Sequence, residues 1–165
     1  MASANAKAKD AERRERVVLY ARISEDTAGE GAGVARQMED LRSLAKVRGW
    51  QVAGEIADNN ISAFTGRSRP GYKQVLAMVT GREVDRVAVW HMSRLWRNRS
   101  ERARGLESFR ESGVSIAAVR GPEIDLSSAS GRMVAGMLGE FDTYESDLKS
   151  ERVARASEQR AAEGR

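Results

Sequence analysis

The chain has 165 residues, 41% of them hydrophobic, which suits one globular domain able to bury a sizeable core. It contains no cysteine and a single histidine, which excludes disulfides, thiol nucleophiles and multi-histidine metal sites within one chain. Basic residues number 28 against 24 acidic ones, and only five of the 28 are lysines, so the charge is mostly the arginine guanidinium, whose planar fork matches phosphate oxygens.

The N-terminal segment, residues 1–15, alternates small and charged side chains and predicts a flexible tail. It lacks the apolar core of a signal peptide, and no apolar run in the chain could span a bilayer. We therefore expect a cytoplasmic protein without membrane contact.

The first predicted strand runs through Val17, Val18 and Leu19 and closes at Tyr20. A polar, glycine-rich loop from Glu25 to Gly33 follows it. This loop has no phosphate-cradling glycine pattern, so we expect no nucleotide cofactor.

The remaining elements alternate between helix and strand. They are, in chain order, a helix from Val34 to Arg48, a strand from Trp50 to Ala57, a helix from Pro70 to near Gly81, a strand from Asp85 to Trp90, a helix introduced by Ser93 to Arg97 and stopped by Gly113, and a strand from Val114 to Val119. Leu106 and Phe109 are the clearest buried residues predicted for the last of these helices. The order predicts an α/β fold with a largely parallel, four- to five-stranded sheet covered by helices.

A long C-terminal helix, about residues 130–165, is predicted to begin packed and to end exposed. Its apolar residues recur at helical spacing, and the sequence beyond Ser150 is almost wholly polar. The surplus length and the Met133 and Met137 side chains indicate a partner subunit; the alternative is a helix frayed by truncation.

Three loops are expected to meet at one edge of the sheet, because each follows the carboxyl end of a strand. They carry Tyr20, Arg22 and Ser24; Asp58, Ser62 and Arg69; and Ser93, Arg94 and Arg97. Four arginines around one serine would repel one another unless an anion lay between them. A phosphate beside a nucleophilic hydroxyl would fit this arrangement, with guanidinium groups stabilising phosphoryl transfer.

Five motifs, in this order and spacing, resemble the catalytic domain of the serine recombinases, the resolvase and invertase superfamily. They are YARIS, ISAFTGRSRP, DRVAVWHMSRLWR, SASGR and FDTYESDLKSER, which together span about Arg16 to Arg152. The insertion after Ser24, and a serine at position 93 where resolvases usually carry aspartate, are more similar to the large serine integrases of phages.

The resemblance implies a role for each matching position. Ser24 matches the nucleophile that forms a 5′-phosphoserine link to DNA and leaves a 3′-hydroxyl. The residues that match positions around the scissile phosphate are Arg22, Arg69, Arg94 and Arg97. Supporting positions are matched by Tyr20, Gln37, Asp58 and Glu145.

The resemblance also implies partners and a mode of action. Family members bind double-stranded DNA attachment sites as dimers, pair into a tetramer, and exchange strands by subunit rotation without ATP or a required metal. Here the long C-terminal helix would carry oligomerisation, and residues 16–165 would form the catalytic domain. The DNA-binding domains of large integrases have no counterpart in this chain, so we expect weak, sequence-indifferent DNA binding and little recombination from these residues alone.

Each assignment has a simpler alternative. Tyr20 could be a core residue, Asp58 a turn former, Gln37 a solvated helix residue and Glu145 a surface charge. Arg69 could be a plain loop residue, and Arg94 and Arg97 could form surface salt bridges. We expect no general-base role for His91, and core or interface positions for Trp90 and Trp96.

Two other functions remain open. One is a non-catalytic dimerisation or regulatory module on the same fold, which would have no need of Ser24 and four arginines. The other is a metal-dependent phosphodiesterase, which would need clustered carboxylates, whereas Asp26, Asp58 and Asp85 are scattered.

Overall fold

The computed structural model describes residues 14–22, 31–58, 69–96 and 98–162. The strands are β1 (Arg16–Arg22), β2 (Gln51–Asp58), β3 (Arg86–Val89) and β4 (Ser115–Ala118). The α-helices are α1 (Gly31–Arg48), α2 (Pro70–Thr80), α3 (Arg99–Ser112) and α4 (Ala129–Ala162), and a 3₁₀ turn spans Met92–Arg94.

The four strands form one parallel sheet in the order β2-β1-β3-β4. β1 is central and its residues from Val17 to Ala21 have no exposed surface. A continuous apolar run of this kind is typical of a parallel strand covered on both faces. Val18 and Tyr20 point into one core cluster, whereas Val17, Leu19 and Ala21 point into the other.

The helices cover both faces of the sheet. α1 packs Met38, Leu41 and Ala45 against one face. On the other face, Val75 and Val79 of α2 and Phe109 of α3 form the larger core. This arrangement confirms the predicted α/β class.

The helix ends follow the expected chemistry. Pro70 occupies the first turn of α2. The Asn98 side chain caps α3, and Gly113 ends that helix with φ of 70°, a left-handed conformation that favours glycine. The sequence predictions of Pro70 as a start and Gly113 as a stop are confirmed.

α4 is 34 residues long, which corresponds to about 50 Å. Ser128 caps its start, since its Oγ accepts a hydrogen bond of 3.0 Å from the Gly131 amide. A Cβ on Gly131 would lie 1.8 Å from the Asp125 carbonyl oxygen, so only glycine fits at this close approach. Ser128 and Gly131 of the SASGR motif therefore each have a structural role at the start of α4.

The first turns of α4 are held on α3 by two arginines. Arg99 pairs with the Glu140 carboxylate at 2.7 Å. Arg102 donates to the Gly139 carbonyl oxygen (2.7 Å) and to the Glu140 carboxylate (2.6 Å). Ala135 and Gly139 face the body of the domain and are buried, whereas Met133 and Met137 are more than 60% exposed. The apolar residues of this helix thus divide between a packed face and an exposed one, and Met133 and Met137, predicted to contact a partner subunit, lie on the exposed face.

Other predictions need smaller corrections. Gly31 and Gly33, predicted in a loop, lie in the first turn of α1. Leu106 is only partly buried, because it lies at the margin of the core that Phe109 fills. Glu15, predicted in the tail, pairs with Arg86 of β3, while the tail's residues 1–13 lie outside the described ranges. Among the described helices, none is long and apolar enough to cross a membrane.

Candidate active site

The carboxyl ends of β1 and β2 bring two predicted site residues into direct contact. Tyr20 and Asp58 lie on adjacent strands, and the Tyr20 hydroxyl donates a hydrogen bond of 2.8 Å to Asp58 Oδ2. Both residues are buried, with 0% and 2% exposure. Tyr20 is therefore at once a core residue and a polar one, and the two interpretations of it were not exclusive.

Asp58 also organises the start of α2. Its Oδ1 accepts from the Gly71 amide and its Oδ2 from the Tyr72 amide, each at 2.9 Å. These are two of the amide groups that a helix leaves unpaired at its N-terminus, where negative charge is favoured. The carboxylate thus joins the end of β2 to the residues that follow Arg69.

Arg69 is the most enclosed of the described arginines at this edge of the sheet, with 3% of its side chain exposed. Its Nη2 donates to the Tyr20 hydroxyl (2.5 Å) and to the Leu95 carbonyl oxygen (2.9 Å). Its Nη1 donates to Glu101 Oε2 at 2.9 Å. The guanidinium carbon lies 4.4 Å from the ring centre of Tyr72, a stacked cation–π geometry.

Burial raises the pKa of Tyr20 well above the usual tyrosine range. The positive charge of Arg69 and its hydrogen bond oppose the rise, and the hydrogen bond to Asp58 adds to it. Burial also raises the pKa of Tyr72, whose hydroxyl accepts from Trp96 Nε1 at 3.1 Å. Tyr20 is therefore a neutral hydrogen-bonding group at physiological pH and not a general base.

Arg22 joins the end of β1 to the 3₁₀ turn after β3. Its Nε donates to the Arg94 carbonyl oxygen and its Nη2 to the Ser93 carbonyl oxygen, each at 3.0 Å. Arg22 is 9% exposed. These contacts place the turn carrying Arg94 directly beside the point where the chain leaves β1 toward residue 24.

Three buried polar side-chain atoms within the described ranges lack a hydrogen-bond partner. They are Gln37 Oε1, Arg69 Nε and Arg94 Nε. Buried polar groups are nearly always paired, so an orphan group often marks a functional position. All three residues were predicted for the site from the sequence.

The turn after β3 has its own internal bonds. His91 Nδ1 lies 2.9 Å from Ser93 Oγ and also accepts from the Ser93 amide at 3.4 Å, which is a cap of the 3₁₀ turn. Trp90 Nε1 donates to Asp40 at 3.0 Å, and Arg120 stacks on its ring. Trp96 is buried in the core, as predicted.

Some predicted residues are not brought into this arrangement by described contacts. Ser24, Ser62 and Arg97 lie outside the described residues, and Glu145 lies in α4 with its side chain outside them. Within the described part, no group of three or more histidine, aspartate or glutamate side chains is placed to hold a metal ion.

Sequence reasoning missed Glu101 and Gly71. Glu101 lies 32 residues from its partner Arg69, and no local pattern signals that pairing. A Cβ on Gly71 would lie 2.8 Å from Asp58 Oδ1. The glycine after Arg69 and Pro70 was a possible signal, because a capped amide in a crowded place leaves no room for a side chain.

Comparisons with known proteins identify the family of the chain. The chain matches the family described as Resolvase, N terminal domain, over residues 17–165. No curated protein matches it.

Several solved structures share the fold. The N-terminal catalytic domain of TP901-1 integrase is 24% identical, with a TM-score of 0.57, over 81% of this chain and 98% of that one. A resolvase family site-specific recombinase from Streptococcus pneumoniae is 20% identical, with a TM-score of 0.64, over 90% and 99%. A serine recombinase from Sulfolobus solfataricus is 22% identical, with a TM-score of 0.53, over 89% and 98%.

At these identities the solved structures establish the fold alone, whereas the family match covers nearly the whole chain. The resemblance drawn from the five sequence motifs is confirmed, and this protein belongs to the resolvase N-terminal domain family.

Proposed function

We propose that this chain is the catalytic domain of a site-specific DNA recombinase of the large serine integrase type, with Ser24 as its nucleophile. The observation that carries the proposal is the assembly at the carboxyl edge of the sheet. There Tyr20, Asp58 and Arg69 form one bonded cluster, and Arg22 holds the turn of Arg94 beside the exit of β1. Ser24 follows Arg22, the last residue of β1, by two residues in the sequence, so the chain leaves β1 toward Ser24 at this edge.

The proposed chemistry is a transesterification that conserves bond energy. Ser24 Oγ attacks a DNA phosphorus and loses its proton, an Oγ–P bond forms, the P–O3′ bond breaks, and the 3′-oxygen takes up a proton. The 5′-phosphoserine link is later attacked by a 3′-hydroxyl of the exchanged strand, which reverses the step. No ATP or redox partner is needed.

The arginines would divide the work. Arg94 has a buried Nε without a partner and is the described residue best suited to receive a phosphate oxygen. Arg22 and Arg69 already bind protein oxygens and would position the edge of the site. Arg97, Gln37 and Glu145 remain predicted site residues.

The partners would be double-stranded DNA and further copies of the chain. The exposed apolar face of α4 presents Met133, Met137, Phe141 and Tyr144, each between 59% and 64% exposed. Their spacing of four, four and three residues places them on one side of the helix. An apolar face of this extent on a long helix fits a second copy in a homodimer, and two dimers would make the synaptic tetramer.

A metal-dependent phosphodiesterase is less well supported. Asp58, whose Oδ2 lies 3.7 Å from Arg69 Nε, is buried and its oxygens accept from Gly71, Tyr72 and Tyr20. A non-catalytic module on the same fold would dimerise but form no covalent link to DNA. Activity lost on adding chelator would favour the first, and dimers without any adduct would favour the second.

The test uses a pool of DNA duplexes with a randomised centre and a bridging 3′-phosphorothiolate, which releases a poorly rejoining 3′-thiol. The chain should form a covalent adduct stable to denaturing gels, with the phosphate located on Ser24 by mass spectrometry. Ser24→Ala should abolish the adduct, while Ser43→Ala, at an exposed position of α1, should leave it unchanged. An adduct on another residue, or none from the wild-type chain, would contradict the proposal.

A further inference from the structure

The guanidinium of Arg69 is held at one end by backbone and tyrosine oxygens. Nη2 bridges the Tyr20 hydroxyl of β1 and the Leu95 carbonyl oxygen that follows the 3₁₀ turn. One arginine thus ties the end of β1 to the segment that follows the 3₁₀ turn. Arg69 can link these two segments at the carboxyl edge of the sheet only in this orientation, because a rotated guanidinium would break both hydrogen bonds.

Glu101 fixes the other end. Its Oε2 accepts from Arg69 Nη1 at 2.9 Å, and 20% of its side chain is exposed against 3% for Arg69. The Glu101 amide is in turn capped by Asn98 Oδ1 at 2.8 Å, so the backbone that presents the carboxylate is itself held. Asp58 lies 3.7 Å from Arg69 Nε and makes no hydrogen bond to it. Among the described carboxylates, Glu101 is the one that hydrogen-bonds this guanidinium.

A cavity next to this pair gives Arg69 somewhere else to go. It has a volume of about 430 Å³ and lies between α2 and α3. Its lining includes Arg69, Tyr72, Glu101 and Gly105. Without the Glu101 carboxylate, the Arg69 side chain could turn into this space toward water, which solvates a guanidinium better than the core does.

We propose that Glu101 is a positioning residue, which holds Arg69 in the orientation that bridges Tyr20 and Leu95. Its catalytic consequence rests on the proposed recombinase function. The simpler role for Glu101 is to favour the N-terminus of α3, three residues after the Asn98 cap. Glutamine keeps the hydrogen-bonding part of that role. The charge that it removes would change the stability of α3 but not the rotation of the Arg69 guanidinium, so Glu101→Gln separates the two roles.

The first measurement needs no DNA. Side-chain NMR of the chain labelled in arginine nitrogen should show slow rotation about the Cζ–Nη bonds of Arg69, with its signals assigned by their loss in Arg69→Lys. Glu101→Gln should speed that rotation roughly tenfold or more, as expected when a charge-assisted hydrogen bond is lost. Glu107→Gln is the matched control, because Glu107 lies on the same helix and pairs with exposed Arg110. Unchanged Arg69 signals in Glu101→Gln would overturn the proposal.

The second measurement is the rate of adduct formation on the phosphorothiolate duplexes. Glu101→Gln should lower the rate at saturating DNA roughly tenfold or more with little change in DNA affinity. Glu101→Asp, which keeps the charge but is one methylene shorter, should be intermediate in both measurements and serves as the folded comparison if the glutamine variant unfolds. A wild-type adduct rate retained in Glu101→Gln would overturn the catalytic consequence. Absence of any adduct from the wild-type chain would instead count against the proposed function and leave the NMR result decisive for Arg69.

Discussion

The side chain of Arg22 binds the backbone of Arg94: Arg22 Nε donates to the Arg94 carbonyl oxygen at 3.0 Å, and Arg22 Nη2 donates to the Ser93 carbonyl oxygen. The bond places a loop that follows β3 against the end of β1, 72 residues earlier. An arginine predicted to bind phosphate thus has a structural task as well, which is to fix the turn that carries another arginine.

Arg22→Lys should loosen this turn. Lysine keeps the charge but cannot direct two divergent N–H groups at the two carbonyls, and a hydrogen bond from a charged donor contributes about 1.5–3 kcal/mol. The Arg94 and Leu95 amides, bonded to His91 and Met92, should lose protection from hydrogen exchange roughly tenfold or more. Arg36→Lys, at an exposed position of α1, should change neither amide. Equal protection in the two variants would show that Arg22 does not hold the turn.

The elements of this fold were predictable because their signals are local. β1 is a run of apolar residues, Pro70 starts α2, and Gly113 ends α3 with a positive φ. The convergence of Arg22, Asp58 and Arg94 followed from the shared direction of parallel strands. Each of these inferences needs only neighbouring residues and one topological rule.

The partners within the site were not predictable, because they depend on long-range contacts. The sequence argument treated Arg69 as a charge awaiting phosphate, yet it is already paired with Glu101 from α3. The packing of α4 depends on long-range contacts in the same way. Helical spacing shows which residues share a side, but the side that packs is determined by distant contacts, such as that of Arg102 with Gly139 and the burial of Ala135 in the core.

Gly71→Ala should destabilise the protein and weaken the cap on α2. The added Cβ would lie 2.8 Å from Asp58 Oδ1 and 2.9 Å from a methyl of Ile56, so the carboxylate must shift from the amides it caps. Overpacking of this kind costs about 1–3 kcal/mol of unfolding free energy. Gly136→Ala in α4 is the control, since its Cβ would meet nothing within 4 Å and alanine favours a helix. Denaturant unfolding should therefore move the two variants in opposite directions, and a harmless Gly71→Ala would contradict the crowding argument.

Tyr20→Phe should make the free energy of unfolding fall less steeply with pH in the alkaline range. Unfolded tyrosine loses its proton near pH 10, whereas the folded chain retains the Tyr20 proton because burial raises its pKa. Above about pH 10 the unfolded state therefore binds fewer protons than the folded state. The stabilisation that Tyr20 contributes to the free energy of unfolding is fully present below about pH 10, and it declines above that pH by up to about 1.4 kcal/mol per pH unit. Tyr72, whose pKa is also raised by burial, adds to the decline in the wild-type chain.

The measurement is unfolding free energy against pH from 8 to 11 on the wild-type chain, Tyr20→Phe and Tyr144→Phe, a range chosen to bracket roughly the ordinary tyrosine pKa. Tyr20→Phe should be less stable than the wild-type chain at neutral pH by about 1–3 kcal/mol, since Asp58 and Arg69 lose a buried hydrogen-bond partner. Its unfolding free energy should nevertheless fall less steeply with rising pH. Tyr144 is exposed on α4, and its replacement should preserve the wild-type slope. An unchanged slope in Tyr20→Phe would show that its buried hydroxyl does not govern the alkaline limb.

Met137→Glu should weaken self-association through α4. Met137 is 64% exposed in the single chain and lies one turn from both Met133 and Phe141, at the centre of the apolar face. In a dimer that buries this face, a carboxylate there would be desolvated without a partner, so the dissociation constant should rise roughly 10- to 100-fold. Val47→Glu provides the matched control, because Val47 is 84% exposed on α1, away from that face. Each chain is measured alone by sedimentation velocity over a concentration series. The wild-type and Val47→Glu chains should each self-associate over the same concentration range, in which Met137→Glu remains monomeric. Since the substitution leaves the core of the domain untouched, identical association of all three chains would mean that a surface other than α4 carries the contact.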